Sequence, residues 1–113
     1  MCIVIGVIKM KIELYVVTSE LYGKDKVETL SNLKQLEELK RGLCEKYGGL
    51  TVIKNCEGLW LNEGKLYVDK VEIWRIFTDD LDVALIKAFA ISLKVICKQQ
   101  SQLYTIDDKA FFV

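Results

Sequence analysis

The chain has 113 residues, about half of them apolar and 28% charged, with sixteen basic and sixteen acidic side chains. That length suits one domain, and the composition excludes both a disordered segment and a membrane-embedded protein. Zero formal charge removes the general electrostatic attraction on which non-specific nucleic-acid binding depends, so a nucleic-acid partner is disfavoured.

Residues 1 to 9 are apolar before Lys9, but the run is too short to span a bilayer and no basic region precedes it, so neither a signal peptide nor a membrane segment is expected. Met10 is itself a plausible initiator. Residues 1–9 are therefore read as an extension or extra strand, and residues 10–113 as a single domain. In "KIELYVV", Ile12, Leu14 and Val16 alternate with Glu13, Tyr15 and Val17, which predicts a first strand. After a polar turn holding Glu20 and Tyr22, Asp25 and Glu28 have capping-box spacing. Tyr22 is expected to staple the start of the helix that follows. Val27, Leu30, Leu33, Leu36, Leu39, Leu43 and Tyr47 then give that helix one apolar stripe, ended by Gly48-Gly49.

Two apolar runs, "LTVIKNCEGLWL" and "KLYVDKVEIWRIF", flank "NEG" and predict a hairpin with a three-residue loop, with Gly58 as a bulge. In "TDDLD", Thr78 or Asp79 is expected to cap a second helix, with Asp80 and Asp82 at its positive end. That helix runs to about Lys98 and is apolar nearly all round, which implies cover on more than one face. "SQLYTID" predicts a fourth strand, and "AFFV" an apolar tail. The order β-α-β-β-α-β defines an α+β, ferredoxin-like fold, with a four-stranded antiparallel sheet in the order 4-1-3-2 and both helices on one face.

That fold leaves one sheet face open. With Tyr15, Val17, Trp74 and Ile76 assigned to it, and Glu72 alongside, the open face is an apolar, aromatic patch of the kind that marks an interface or a ligand site. The expectation is a homodimer joined through this face, acting as a binding or interaction module. Trp60, near the hairpin tip, is a candidate partner anchor. The alternatives are a small enzyme of the dimeric α-β barrel kind with a pocket on the sheet, and a single-stranded nucleic-acid binder stacking bases on Tyr15 and Trp74.

The chemistry available is narrow. With no histidine, the chain lacks the commonest general base and metal ligand. Cys2, Cys44, Cys56 and Cys97 contain no CxxC pair, so no zinc site is expected and buried thiols in a reducing cytoplasm are the ordinary reading. Glu20 and the Asp79, Asp80, Asp82 group are the nearest approach to a cation site, and a solvated turn and a helix cap account for them. No catalytic residue, cofactor or metal is expected. Fourteen lysines against two arginines, abundant isoleucine and absent proline fit the codon bias of an AT-rich genome, such as that of a thermophile or a virus.

The stretch "GLTV" at Gly49, Leu50, Thr51 and Val52, with Gly58, Trp60, Ile73 and Ile76, resembles a family of small domains of unknown function that carry a "GLTV...G.W" strand. It covers residues 12 to 107. The resemblance implies the ferredoxin-like fold and brings no activity with it.

Overall fold

The computed structural model describes residues 9–20 and 27–113. Strand β1 (Met10–Glu20) is followed by α1 (Val27–Tyr47), the hairpin β2 (Thr51–Asn62) and β3 (Lys65–Thr78), α2 (Val83–Ile96), and a second hairpin, β4 (Leu103–Ile106) and β5 (Lys109–Phe112). Residues 1 to 8 with Cys2, Tyr22, and the Asp25 side of the capping box lie outside the described residues.

The sheet is antiparallel, with strand order β2-β3-β1-β4-β5. Its first four strands take the expected order. The fifth is the segment read from sequence as a tail: Lys109–Phe112 turns back on β4 through Asp107 and Asp108, both at positive φ. Two aspartates tolerate that conformation because a short polar side chain can bond its own backbone. Asp107 Oδ1 accepts the Lys11 N–H at 2.7 Å, and Asp108 pairs with Lys11 Nζ at 2.8 Å, tying the turn to β1. The sheet therefore has five strands rather than four.

Local chemistry explains the other boundaries. Gly48, at φ +82°, ends α1 in the left-handed cap that glycine adopts without strain, its N–H on the Cys44 carbonyl. The first hairpin loop is two residues long rather than three: Glu63 and Gly64 both have positive φ, as the strand twist favours. The bulge expected at Gly58 lies instead at Lys54 and Asn55, where Asn55 takes φ +62°, and Gly58 stays in register opposite Asp69. Asp82, rather than Thr78 or Asp79, caps α2 by accepting the Leu85 N–H at 3.1 Å. Thr78 Oγ1 takes the Asp80 N–H in the preceding turn.

The core lies between the sheet and the two helices, built from Ile12, Leu14, Val16, Leu36, Leu43, Trp74, Ile76, Ile86, Ala90, Leu93 and Tyr104. At about 1.5 to 3 kcal/mol for each large apolar side chain, this layer supplies the main stabilising term. On α2 only Ile86, Ala90 and Leu93 are buried. Val83, Ile91 and Val95 remain exposed, so among the described residues one face of the helix is covered and not several. No described helix is long and apolar enough to cross a membrane.

Candidate functional site

Register decides which side chains share the open face. Tyr15 lies opposite Ile73, Val17 opposite Val71 and Glu13 opposite Arg75, all on the side away from the helices. Tyr15 and Val17 are thus where the alternation of β1 predicts. Trp74, Ile76 and Glu72 are not: they oppose Leu14, Ile12 and Val16 and lie under the helices. The alternation of β3 is correct and its polarity is reversed. Trp74 and Ile76 are buried to 0% and 1% exposure because the larger apolar area is better used in the closed layer. The indole N–H is satisfied there by Glu72 Oε1 at 3.0 Å, while Lys40 of α1 lies 5.5 Å above the ring and 3.7 Å from Glu72. A buried Trp74 cannot stack a base, which removes the anchor of the nucleic-acid reading, and the face-to-face dimer loses two of its expected contacts.

The open face instead holds a cavity of about 860 Å³, within the range of small-molecule sites. Tyr15, Val17, Val71 and Ile73 form its floor, Trp60 and Asp69 one wall, and residues 98–103, which connect α2 to β4, the other. Gly58 belongs to the lining: a Cβ there would come 3.2 Å from Val71 Cγ2, so glycine keeps this part of the floor low.

Asp69 is the chemical feature of this wall. It is 8% exposed, its Oδ2 accepts the Trp60 indole N–H at 3.2 Å, and burial raises its pKa while the Trp60 hydrogen bond lowers it. Trp60 is 44% exposed and stacks on Tyr67 with ring centroids 4.3 Å apart, so its second ring face is open to a partner or ligand. Toward the other end of the sheet, Glu13 is buried at 5% exposure and held by Arg75 through Nη2 at 2.8 Å and Nε at 2.9 Å. The Tyr15 hydroxyl donates a long hydrogen bond to Glu13, and burial, followed by the Glu13 charge, raises the Tyr15 pKa. Gln102, 1% exposed, fixes the connecting segment to β1 by donating its amide to the carbonyls of Tyr15 and Leu103.

Sequence reasoning named Tyr15, Val17 and Trp60 of this site and missed Asp69 and Gln102. Asp69 was within reach: it alternates with Tyr67, Val71 and Ile73, and the Glu63-Gly64 turn sets it diagonal to Trp60. Gln102 carries no local signal. Of the acidic group at the start of α2, Asp82 caps the helix and Asp80 lies 3.8 Å from Lys46. Among the described residues no cluster of three or more metal-ligating side chains forms.

No protein-family model matches the chain, and no curated protein does. Solved structures do resemble it. A phage SAM lyase in complex with S-methyl-5'-thioadenosine superposes with a TM-score of 0.67 at 12% identity, over 100% of this chain and 95% of the other. A phage SAM lyase in the apo state gives 0.63 at 15% identity, over 100% and 94%. The divalent cation tolerance protein CutA1 from Thermus thermophilus gives 0.54 at 7%, over 88% and 82%. At these identities the likeness is one of fold: an α+β arrangement of two helices on an antiparallel sheet.

Proposed function

We propose that this protein is a binding domain whose open sheet face holds a small ligand of the adenine-nucleoside type, with adenosine thioethers as the favoured class. The observation that carries the reading is a buried carboxylate, Asp69, set beside the half-open aromatic ring of Trp60 in the wall of a cavity of ligand size. A flat heterocycle gains area by stacking on an indole, and a buried carboxylate rewards N–H or O–H donors in a site that excludes water. The floor of Val17, Val71 and Ile73 suits an apolar portion such as a thioether. The S-methyl-5'-thioadenosine bound by one of the structural neighbours belongs to this class.

The test is calorimetric titration of the full chain with S-methyl-5'-thioadenosine, adenosine and a pyrimidine nucleoside. Saturable binding of the first two, lost in Trp60→Ala and weakened about tenfold or more in Asp69→Asn, is expected. Equal, weak responses to all three would remove the nucleoside reading.

A second reading is favoured by one observation, the raised pKa of Asp69 within a cavity, since carboxyls of that kind occur at catalytic sites. In that case the chain transforms its ligand. Incubation with S-adenosylmethionine, followed by chromatography for S-methyl-5'-thioadenosine, separates catalysis from binding alone.

A further inference from the structure

Gln102 stands just before β4 with every polar group but one in use. Its backbone N–H and carbonyl both bond Val113, and its side-chain Nε2 donates to the carbonyls of Tyr15 and Leu103. This fixes which way the carboxamide is turned, because an oxygen facing two carbonyls would repel them. Oε1 therefore lies on the other side, where it has no hydrogen-bond partner among the described residues, and Gln102 is 1% exposed. An acceptor sealed from water without a donor costs the fold free energy, and native proteins leave few of them.

The residue lines the cavity, in the wall opposite Asp69. Asp69 is also buried, at 8% exposure, and no side-chain cation pairs with it among the described residues. The lining donors Trp60 N–H, Tyr15 O–H, Gln99 Nε2 and Gln102 Nε2 are all engaged within the protein. Each wall thus offers a buried acceptor, a carboxylate on one side and an amide oxygen on the other, across an apolar floor of Val17, Val71 and Ile73. A ligand that satisfies both carries hydrogen-bond donors at its two ends.

We propose that Gln102 determines specificity for the sugar, its Oε1 accepting a ribose hydroxyl, so that the cavity selects ribonucleosides over deoxyribonucleosides. The inference rests on the nucleoside reading and assigns the second end of that ligand. With the heterocycle stacked on Trp60, its edge meets Asp69, and the sugar crosses the floor toward residues 98–103. There the only side-chain acceptor buried without a partner is that of Gln102, among the described residues. Rotation about the terminal bond of the side chain, a soft torsion, turns Oε1 toward the ligand while Nε2 keeps one of its two carbonyls. A sugar lacking the hydroxyl leaves the acceptor unsatisfied, which is how a polar site rejects an analogue of the same shape.

The experiment is calorimetric titration of the full chain with adenosine, 2'-deoxyadenosine and 3'-deoxyadenosine. Adenosine is expected to bind at least about tenfold more tightly than one of the two deoxy analogues. The series is repeated on Gln102→Met, which removes the acceptor, and on Gln102→Asn, a milder change that withdraws it by one methylene, with circular dichroism to confirm folding. In a folded variant the preference is expected to fall to about twofold or less, because the deoxy analogue no longer leaves an acceptor unpaired. A purely structural role for Gln102 would instead weaken all three nucleosides by one common factor and keep the preference, which overturns the proposal. Equal affinities for the three in the unmodified chain, lost in Trp60→Ala, also overturn it and leave the nucleoside reading standing. Absence of saturable binding to any of the three overturns both.

Discussion

The indole nitrogen of Trp60 donates to Asp69 Oδ2 at 3.2 Å, joining the two strands of the first hairpin on the open side of the sheet. The two residues are diagonal neighbours, because Trp60 opposes Tyr67 and Gly58 opposes Asp69. Gly58 places no side chain beside Asp69 and Val71, and the bond, with the stacking on Tyr67, holds the Trp60 ring next to the carboxylate. The same acid therefore both anchors the Trp60 ring and carries a charge that burial disfavours.

The first prediction concerns that acid. Burial raises the native pKa of Asp69 above its ordinary value of 3.8, so the native state binds its proton more tightly than the unfolded chain does. Stability from this group is then present at low pH and lost as pH rises from the unfolded value through the native one. Asp69→Asn keeps an acceptor for Trp60 and removes the charge. It is expected to raise stability at pH 7 by about 1 kcal/mol, the usual scale for desolvating a polar group, with the difference vanishing below about pH 4. Thermal melts of both forms between pH 3 and 8 check this, and a constant difference across the range would refute it.

The two tryptophans should separate stability from binding. Trp74→Ala removes a fully buried ring and is expected to cost roughly 3 to 5 kcal/mol. Trp60→Ala removes one stacked pair and one hydrogen bond and is expected to cost about 1 to 2 kcal/mol, and, if the proposed nucleoside site is correct, to abolish binding there. In Trp74→Phe the remaining indole is Trp60, so its emission should respond to ligand. Urea unfolding and fluorescence titration measure the two effects.

Glu13 and Arg75 form the ion pair of the open face, with Glu13 buried and Arg75 about a third exposed. Removing one partner of a fully buried pair costs about 3 to 5 kcal/mol. Solvent around Arg75 reduces this, and Arg75→Ala is expected to cost about 1 to 2 kcal/mol. Adding Glu13→Gln should recover part of the loss, because the uncompensated charge is gone. A double-mutant cycle by chemical denaturation gives the coupling, and strictly additive losses would show that the pair contributes nothing.

The thiols should report the packing of α2. Burial, followed by the charge of Glu72, pushes the Cys97 thiol up to about 11, so at pH 8 about one molecule in a thousand carries the thiolate. Cys44 is exposed on α1. In a Cys2→Ser chain, iodoacetamide at pH 8 is expected to modify Cys44 at least tenfold faster than Cys97. Peptide mass mapping over time reads the order, and equal rates would mean that the α2 terminus opens.

How much of this could be read from residues alone is clearest in β1 and β3. The alternation in "KIELYVV" places Ile12, Leu14 and Val16 together, and they form the core as the pattern dictates. In β3 both alternating sets are apolar enough to be buried: Val71, Ile73 and Phe77 against Trp74 and Ile76. Periodicity fixes membership of a face and leaves its direction open, because shifting a strand by one residue exchanges the faces. The contact that decides is non-local, Leu14 against Trp74, with Lys40 of α1 covering the ring.

Legible in the residues were the order of the first six elements, the first hairpin, the helix ends at Gly48 and near Asp82, and the placement of Tyr15 and Val17 together on a partly apolar open face. Each follows from local chemistry or from a period of two or 3.6. Three-dimensional packing was needed to place Trp74, Ile76 and Glu72 under the helices, to turn the last residues into a fifth strand, and to bring Asp69 and Gln102 to the border of the cavity. Those outcomes depend on pairing between segments far apart in the chain, where burial of the largest side chains and satisfaction of their polar atoms select one register among several that the local pattern allows.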